Sequence, residues 1–278
     1  MTQVPILTYH ANNINGLDYQ SNDHVALQED LQLIHDLGFR IISLDQLMQW
    51  RSGRLADSEV EKAVVLTCDD GTWFDYYDVD HPSYGLQISF FNILKNHKKH
   101  TQQSVHMSNF VIASPEARVI LDQKCLVGRG WWTDEWWRAA QNSGLMSIEN
   151  HSWDHNHGVL ENKNIHDDSF EAIDNEVDCD RQLKQSQDFI CQFFRCEHQA
   201  KYFAYPYGNY SQYLRFDYLP SQGTDLGLLA AFTTEAKHVT QQSDRWAMPR
   251  YVCNNDWHNA AQLKSILQPL VSVPSFSN

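Results

Sequence analysis

Asp69 and Asp70 stand side by side behind Ala63-Val64-Val65-Leu66-Thr67-Cys68 and ahead of Gly71. The apolar and β-branched run predicts a buried parallel strand, so both acids fall at its carboxyl end. Adjacent carboxylates there repel each other and are costly to desolvate, unless a cation sits between them or water reaches them. Gly71 permits a sharp turn that would let both face one pocket. A metal ligand beside a general base fits this pattern, and so does a solvent-exposed Asp-Gly turn. His151 and His155 add two imidazoles four residues apart, a spacing that on a helical turn puts both on one face toward a single ion. His157 lies close by but out of that period. With 14 histidines in 278 residues a close pair also arises by chance. Position distinguishes this one: the Asp pair and the His pair both begin where a predicted buried strand ends, the edge where parallel α/β domains gather their active sites. A third segment, Phe203-Ala204-Tyr205-Pro206-Tyr207-Gly208, also closes a predicted strand.

The elements that must hold these segments alternate along the chain. Strands are predicted at Val4 to Tyr9 (ending at His10), Arg40 to Ile42, Val64 to Thr67, Ser104 to Ile112, Met146 to Asn150, Lys201 to Tyr205, Leu228 to Thr233 and Trp246 to Val252. Helices are predicted after Asn22 or Asp23 up to Gly38, after Ser43, over Leu86 to Leu94 and over Pro115 to Asp122. Others follow over Glu135 to Gln141 (capped by Thr133 and closed by Gly144), over Asp168 to Phe194 and over Asp256 to Leu270. Asp75 to Tyr84 breaks every period and reads as a loop. With no repeat and no linker, the pattern predicts a single parallel α/β domain spanning residues 1–278, a barrel or an open sheet.

The three segments in order resemble the polysaccharide deacetylases of carbohydrate esterase family four, over roughly Val4 to Val252. Thr67-Cys68-Asp69-Asp70-Gly71 is similar to that family's Thr-Phe-Asp-Asp-Gly, and His151-Ser152-x-x-His155 to its His-Ser/Thr-x-x-His. Ala204-Tyr205-Pro206-Tyr207 is similar to its Arg-x-Pro-Tyr segment. The resemblance implies a distorted (β/α) barrel of seven parallel strands and one divalent ion held by Asp70, His151 and His155. Zinc is the first choice of ion, with cobalt, nickel, iron or manganese as alternatives. Asp69 would be the base toward a water on the ion, and the Tyr207 backbone N–H, behind Pro206, an oxyanion donor. Three departures stand out: Cys68 replaces a Phe, Ala204 replaces an arginine that orients the base, and no Leu-x-His segment supplies an acid near the C-terminus. The variants resemble the poly-N-acetylglucosamine deacetylase branch. His10 becomes the candidate acid, against a purely structural histidine. Arg250, in Met248-Pro249-Arg250-Tyr251, is the candidate replacement arginine, against a surface residue. Its competitor Arg245 precedes the strand and would lie at the opposite edge. Trp153, inside the His motif, is the expected substrate neighbour, whereas Trp131, Trp132, Trp136 and Trp137 read first as core.

The net charge of −14 disfavours nucleic acid or an anionic membrane as partner and fits a neutral or cationic substrate. No run reaches membrane-spanning length and the N-terminus lacks a signal-like core, so the sequence as given reads as cytoplasmic. Its six cysteines (68, 125, 179, 191, 196 and 253) show no paired framework and read as reduced thiols; Cys191, Cys196 and His198 fit no standard zinc spacing. The expected activity is removal of N-acetyl groups from an amino sugar or glycan. A non-sugar amide or cyclic amide, or another small acylated amine, is the alternative substrate on the same fold, and an inactive carbohydrate-binding protein the alternative from another class. Oligomeric state leaves no trace in the sequence.

Overall fold

The computed structural model describes residues 2–160 and 169–270. Its strands are β1 (Ile6–His10), β2 (Arg40–Ile42), β3 (Ala63–Asp69), β4 (Val79–His81), β5 (Gly85–Gln87), β6 (Met107–Val111), β7 (Met146–Asn150), β8 (Tyr202–Ala204), β9 (Ala230–Phe232) and β10 (Tyr251–Val252). Seven of them run in the order β10-β1-β3-β6-β7-β8-β9, every pairing parallel, and β2 joins the sheet along β3. Met248 bridges to Phe232 in β9 just ahead of β10, so the two ends of the sheet meet and close a distorted (β/α) barrel.

Strand alternation decides which side chains face the barrel interior. Ile6, Val65, Phe110, Tyr202, Ala204, Phe232 and Met248 pack together inside it. Leu7, Tyr9, Leu66, Cys68, Met107 and Ile148 belong to a separate cluster with Leu27, Leu31 and Leu94 of the surrounding helices. Thr8 and Thr67 share the interior face with Ile6 and Val65 and join through their hydroxyls at 2.8 Å. By the same two-residue step Asp69 turns inward at the mouth while Cys68 points out to the helices. There the Cys68 thiol donates to Asp75, itself bound by Thr72 and Asn109. The departure at Cys68 therefore lies behind the sheet, away from the acids.

Local chemistry explains most helix boundaries. Asn22 caps Asp23–Asp36, Ser43 forms a capping box with Gln46 for Leu44–Arg51, and Ser114 caps Pro115–Cys125. Other expectations fail. Part of the expected loop over Asp75 to Tyr84 is β4, which pairs with β5 in a hairpin. The helix expected from Leu86 begins at Phe90 instead, capped by Ser89, because Gln87 is spent on a buried bond from Asn22. Thr133 does not cap a helix, since its hydroxyl accepts from Trp73 Nε1; helix begins at Trp137. Asp168, the expected start of the long helix, lies outside the described residues. Helix is present from Glu176 to Phe193 and contains a wide π turn at Asp180–Lys184. The reduced-thiol expectation is also corrected: Cys191 and Cys196 form a disulfide, brought together where Arg195 and Cys196 adopt left-handed φ values of 54° and 56°. Cys68, Cys125, Cys179 and Cys253 are free.

One inward residue near the floor of the barrel carries a measurable cost. Glu149 is 3% exposed and accepts from the backbone N–H groups of Lys201 and Tyr202 at 2.8 and 3.1 Å. Burial pushes its carboxyl up to about 8, those hydrogen bonds notwithstanding. With the folded pKa above the unfolded one, stability is full in acid and is lost as pH rises toward 8. Glu149→Gln keeps an acceptor oxygen without the charge. Its melting temperature is expected to match the wild type near pH 5 and to exceed it by several degrees at pH 8. Thermal scans that stay parallel across this range would contradict a buried, neutral Glu149.

Candidate active site

The carboxyl edge of the barrel opens into a cavity of about 370 Å³. Its walls include His10, Asn12, Asp69, Asp70, Trp132, His151, His155 and Tyr207. The two acids diverge because the backbone changes hand between them. Asp69 is the last residue of β3, whereas Asp70 and Gly71 take φ values of 83° and 78°. A Cβ on Gly71 would lie 2.6 Å from Val111 Cγ1, so the turn needs glycine both for its φ and for the approach of β6. The Asp70 carbonyl, rotated outward, accepts from Ile112 N and Trp132 Nε1, each at 3.2 Å.

Asp69 meets Arg250 below it. Nη1 and Nη2 donate to Oδ1 and Oδ2, each at 2.8 Å, in a paired fork. Arg250 is fully buried and also donates from Nε to the Thr233 carbonyl. Burial alone would raise the Asp69 pKa. The charge and hydrogen bonds of Arg250, helped by His151 and His10, outweigh it and bring the carboxyl to about 2. Arg245 instead lies over Trp246 and does not line the cavity.

Asp70 faces the two histidines. Its Oδ1 is 3.7 Å from His151 Nε2 and 3.8 Å from His155 Nε2. His151 Nδ1 donates to the Ala204 carbonyl at 2.9 Å, which leaves the lone pair on Nε2. Burial lowers the pKa of this imidazole and favours its neutral form. The three ligand atoms lie within 4.8 Å of one another. A neutral imidazole nitrogen set toward a carboxylate oxygen, beyond hydrogen-bond reach, is the arrangement a cation fills. Two nitrogens and one oxygen suit zinc and its first-row neighbours.

The histidines do not share a helical turn, as their spacing suggested. They sit in a loop with left-handed φ at Ser152 (72°), His155 (63°) and Asn156 (47°). Short polar side chains outcompete the helix here: Asn150 Oδ1 accepts from Ser152 N, Ser152 Oγ from His155 N, and Asp154 Oδ1 from Asn156 N. The helix with the π turn clamps this loop. Gln182 and Arg181 donate to Asp154, Ser186 donates to Asn150 and to the Ser152 carbonyl, and Asn150 donates to the Leu183 carbonyl and to Gln187.

Other expected residues fare differently. His10, at the end of β1 and in register with Asp69, lines the cavity. Pro206 is buried and opens a tight turn in which Tyr207 takes a φ of 58°; the Tyr207 ring meets the His155 ring edge-on at 4.5 Å. Trp153 does not reach the cavity. The left-handed Ser152 turns it away, onto Phe189 and a separate surface groove. Trp136 and Trp137 are core, as expected, while Trp132 is both buried and part of the cavity wall. The sequence reading missed Asn12 and Trp132 as neighbours of Asp70, because both contacts join residues about 60 positions apart. Proximity of Asn12 to His10 was the only available hint.

Comparison with known proteins adds a family-wide pattern and a fold. The sequence pattern described as polysaccharide deacetylase matches residues 56–221. Among solved structures, IcaB from Ammonifex degensii is 17% identical, with a TM-score of 0.63 over 96% of this chain and 98% of its own. A polysaccharide deacetylase from Bacillus cereus is 16% identical, with a TM-score of 0.62 over 95% of this chain and 69% of its own. The BpsB deacetylase domain from Bordetella bronchiseptica is 17% identical, with a TM-score of 0.62 over 91% and 96%. No curated protein is matched by the sequence.

The buried Asp69–Arg250 pair has a defined pH signature. Its folded carboxyl titrates at about 2, below the ordinary aspartate value of ~3.9. Its contribution to stability is therefore present above pH ~4 and is lost as pH falls through about 2. Arg250→Ala removes the largest opposition to burial, so the acidic limb of activity is expected to move upward with a large rate loss. Arg250→Lys should recover only part, since an ammonium cannot form the paired fork. Rate profiles across pH at matched metal content make the comparison. An unchanged profile in the alanine variant would remove Arg250 from the site.

Proposed function

This chain belongs to the polysaccharide deacetylase family, and from that membership and the site geometry we propose that it hydrolyses N-acetyl groups of an amino sugar or glycan with the help of one divalent ion. The observation that carries the reading is the division of two adjacent carboxylates. Asp69 is held ionised by Arg250, and Asp70 faces two histidine nitrogens.

Asp70, His151 and His155 are the proposed ligands, zinc the proposed ion. Bound there, it would supply Lewis-acid polarisation and a lowered water pKa. The chain's own groups account for the rest. Asp69, ionised and fixed in orientation, accepts a proton from the attacking water. The Tyr207 N–H, presented by a left-handed turn, is the proposed donor to the oxygen of the tetrahedral intermediate. That turn needs Gly208, where a Cβ would lie 2.0 Å from Thr234 Oγ1. His10, on the cavity wall, is the proposed acid that protonates the departing amine. The cavity lies at the small end of the range for small-molecule sites and suits one acetamido-bearing unit rather than a long buried chain.

The poly-N-acetylglucosamine branch is the favoured substrate class. Support comes from the motif variants: alanine at 204, with the guanidinium supplied by Arg250. The net charge of −14 agrees with a neutral substrate whose product carries an amine. Among the described residues no helix is long and apolar enough to cross a membrane. The Cys191–Cys196 disulfide weighs against the expected cytoplasmic setting, because reducing compartments keep such thiols apart.

Acetate release from N-acetylglucosamine oligomers by zinc-loaded protein tests the activity, with Asp69→Asn as the diagnostic variant. The amide cannot accept the proton, so a loss of about a hundredfold or more in rate is expected at unchanged zinc content. Wild-type turnover by Asp69→Asn would contradict the assignment of the base.

A further inference from the structure

Asp70 has two carboxylate oxygens with different neighbours. Oδ1 faces the two histidine Nε2 atoms, while Oδ2 accepts a hydrogen bond from Asn12 Nδ2 at 2.9 Å. A carboxylate only accepts, so the Asn12 amide must present its NH₂ group, and its orientation is fixed by its partner. The consequence is visible on the other side of the amide. Asn12 Oδ1 is buried and has no hydrogen-bond partner. Turning the amide over would place oxygen against oxygen at Asp70. The fold thus leaves one carbonyl unsatisfied in order to hold Asp70.

The backbone around Asn12 is set for this task. It follows β1 in a turn where Asn13 N donates to the His10 carbonyl and Ile14 N to the Asn12 carbonyl, each at 3.0 Å. His24 Nε2 lies 2.8 Å from the carbonyl of the preceding Ala11. On the main-chain side Asp70 is fixed by Ile112 and Trp132. On the side-chain side, among the described residues, Asn12 is the hydrogen-bond donor to its carboxylate.

We infer that Asn12 is the positioning residue for metal binding. It engages one oxygen of Asp70 and leaves the other to meet the ion beside His151 and His155. One-oxygen binding by Asp70 keeps positions around the ion open for water and for a substrate carbonyl. Without Asn12 the carboxylate can turn and offer both oxygens, or swing away from the histidines. The inference rests on the metal-dependent reading above.

The test is zinc affinity, measured by competition against a chelator, together with the melting temperature of the metal-stripped protein. Asn12→Leu matches the size of asparagine without a donor or an orphaned carbonyl. Its zinc affinity is expected to fall by about 10–100-fold. Its metal-free melting temperature should change little, because the lost bond to Asp70 and the removed unsatisfied oxygen act in opposite directions. Asn12→Ala should show the same loss of affinity. Wild-type affinity within twofold in both variants overturns the inference, as does a metal-free melting temperature that falls in step with affinity, which would mark Asn12 as a packing residue. Wild-type protein that binds no zinc overturns the metal-dependent reading itself; zinc binding that is indifferent to Asn12 overturns only the positioning role.

Discussion

Two carboxylates on successive residues at the end of a buried strand can share one cavity only if they are given different partners. In this chain the separation is made by backbone handedness. Asp69 keeps the extended conformation of β3 and points into the barrel, while Asp70 turns left-handed and points across its mouth. A non-glycine residue in that region costs free energy, and the surrounding contacts must hold it there. They do so from several elements: Ile112 and Trp132 on the Asp70 carbonyl, Asn12 on its side chain, and Arg250 on Asp69. The cavity's chemistry depends on that arrangement. Asp69 acquires a strong guanidinium partner and stays charged despite burial, whereas Asp70 turns one oxygen toward the Nε2 atoms of His151 and His155.

The same logic governs the histidine loop. Three residues between Ser152 and Asn156 take left-handed φ values, and none is glycine. Their cost is offset by a dense set of side-chain bonds from the helix that contains the π turn. Gln182, Ser186 and Gln187 on that helix are each about 2% exposed or less. A polar network in which each of these side chains is bonded is rigid, and rigidity at this loop fixes the distance between His151 and His155. Ala204 shows how compactly the parts are combined. Its side chain fills the barrel interior while its carbonyl fixes the tautomer of His151. Arg250 is seated in the same interior, its guanidinium 5.4 Å over the Phe110 ring, and Phe110 packs in one cluster with Ala204.

Much of this was legible in the sequence because it follows short-range rules. β7 was anticipated residue for residue, Asn22 and Ser43 announced their helices, and the acid and histidine segments were each placed at a strand end. Arg250 was reachable too, since the two-residue period of the last strand segment puts it inward with Met248. Distant contacts that no motif pointed to were not legible. The Asn12 bond spans 58 positions, and nothing near Asn12 announces it. The helical spacing of the histidines misled because Asn150, Ser152 and Asp154 bind the local backbone more effectively than a helix would. Trp153 was expected at the cavity because it lies inside the His motif, and the left-handed Ser152 turns it outward. The Cys191–Cys196 pair escaped because a five-residue separation carries no familiar framework, and its closure depends on two left-handed residues that no propensity favours.

The account stands on the unequal roles of the two neighbouring acids, and a crystal structure of zinc-loaded protein with anomalous data at the zinc edge tests it most directly. The expected result is one ion bonded to Asp70, His151 Nε2 and His155 Nε2, with both oxygens of Asp69 still on Arg250. An ion bonded to Asp69 in place of Asp70, or Arg250 displaced from Asp69 when the ion is bound, would contradict it.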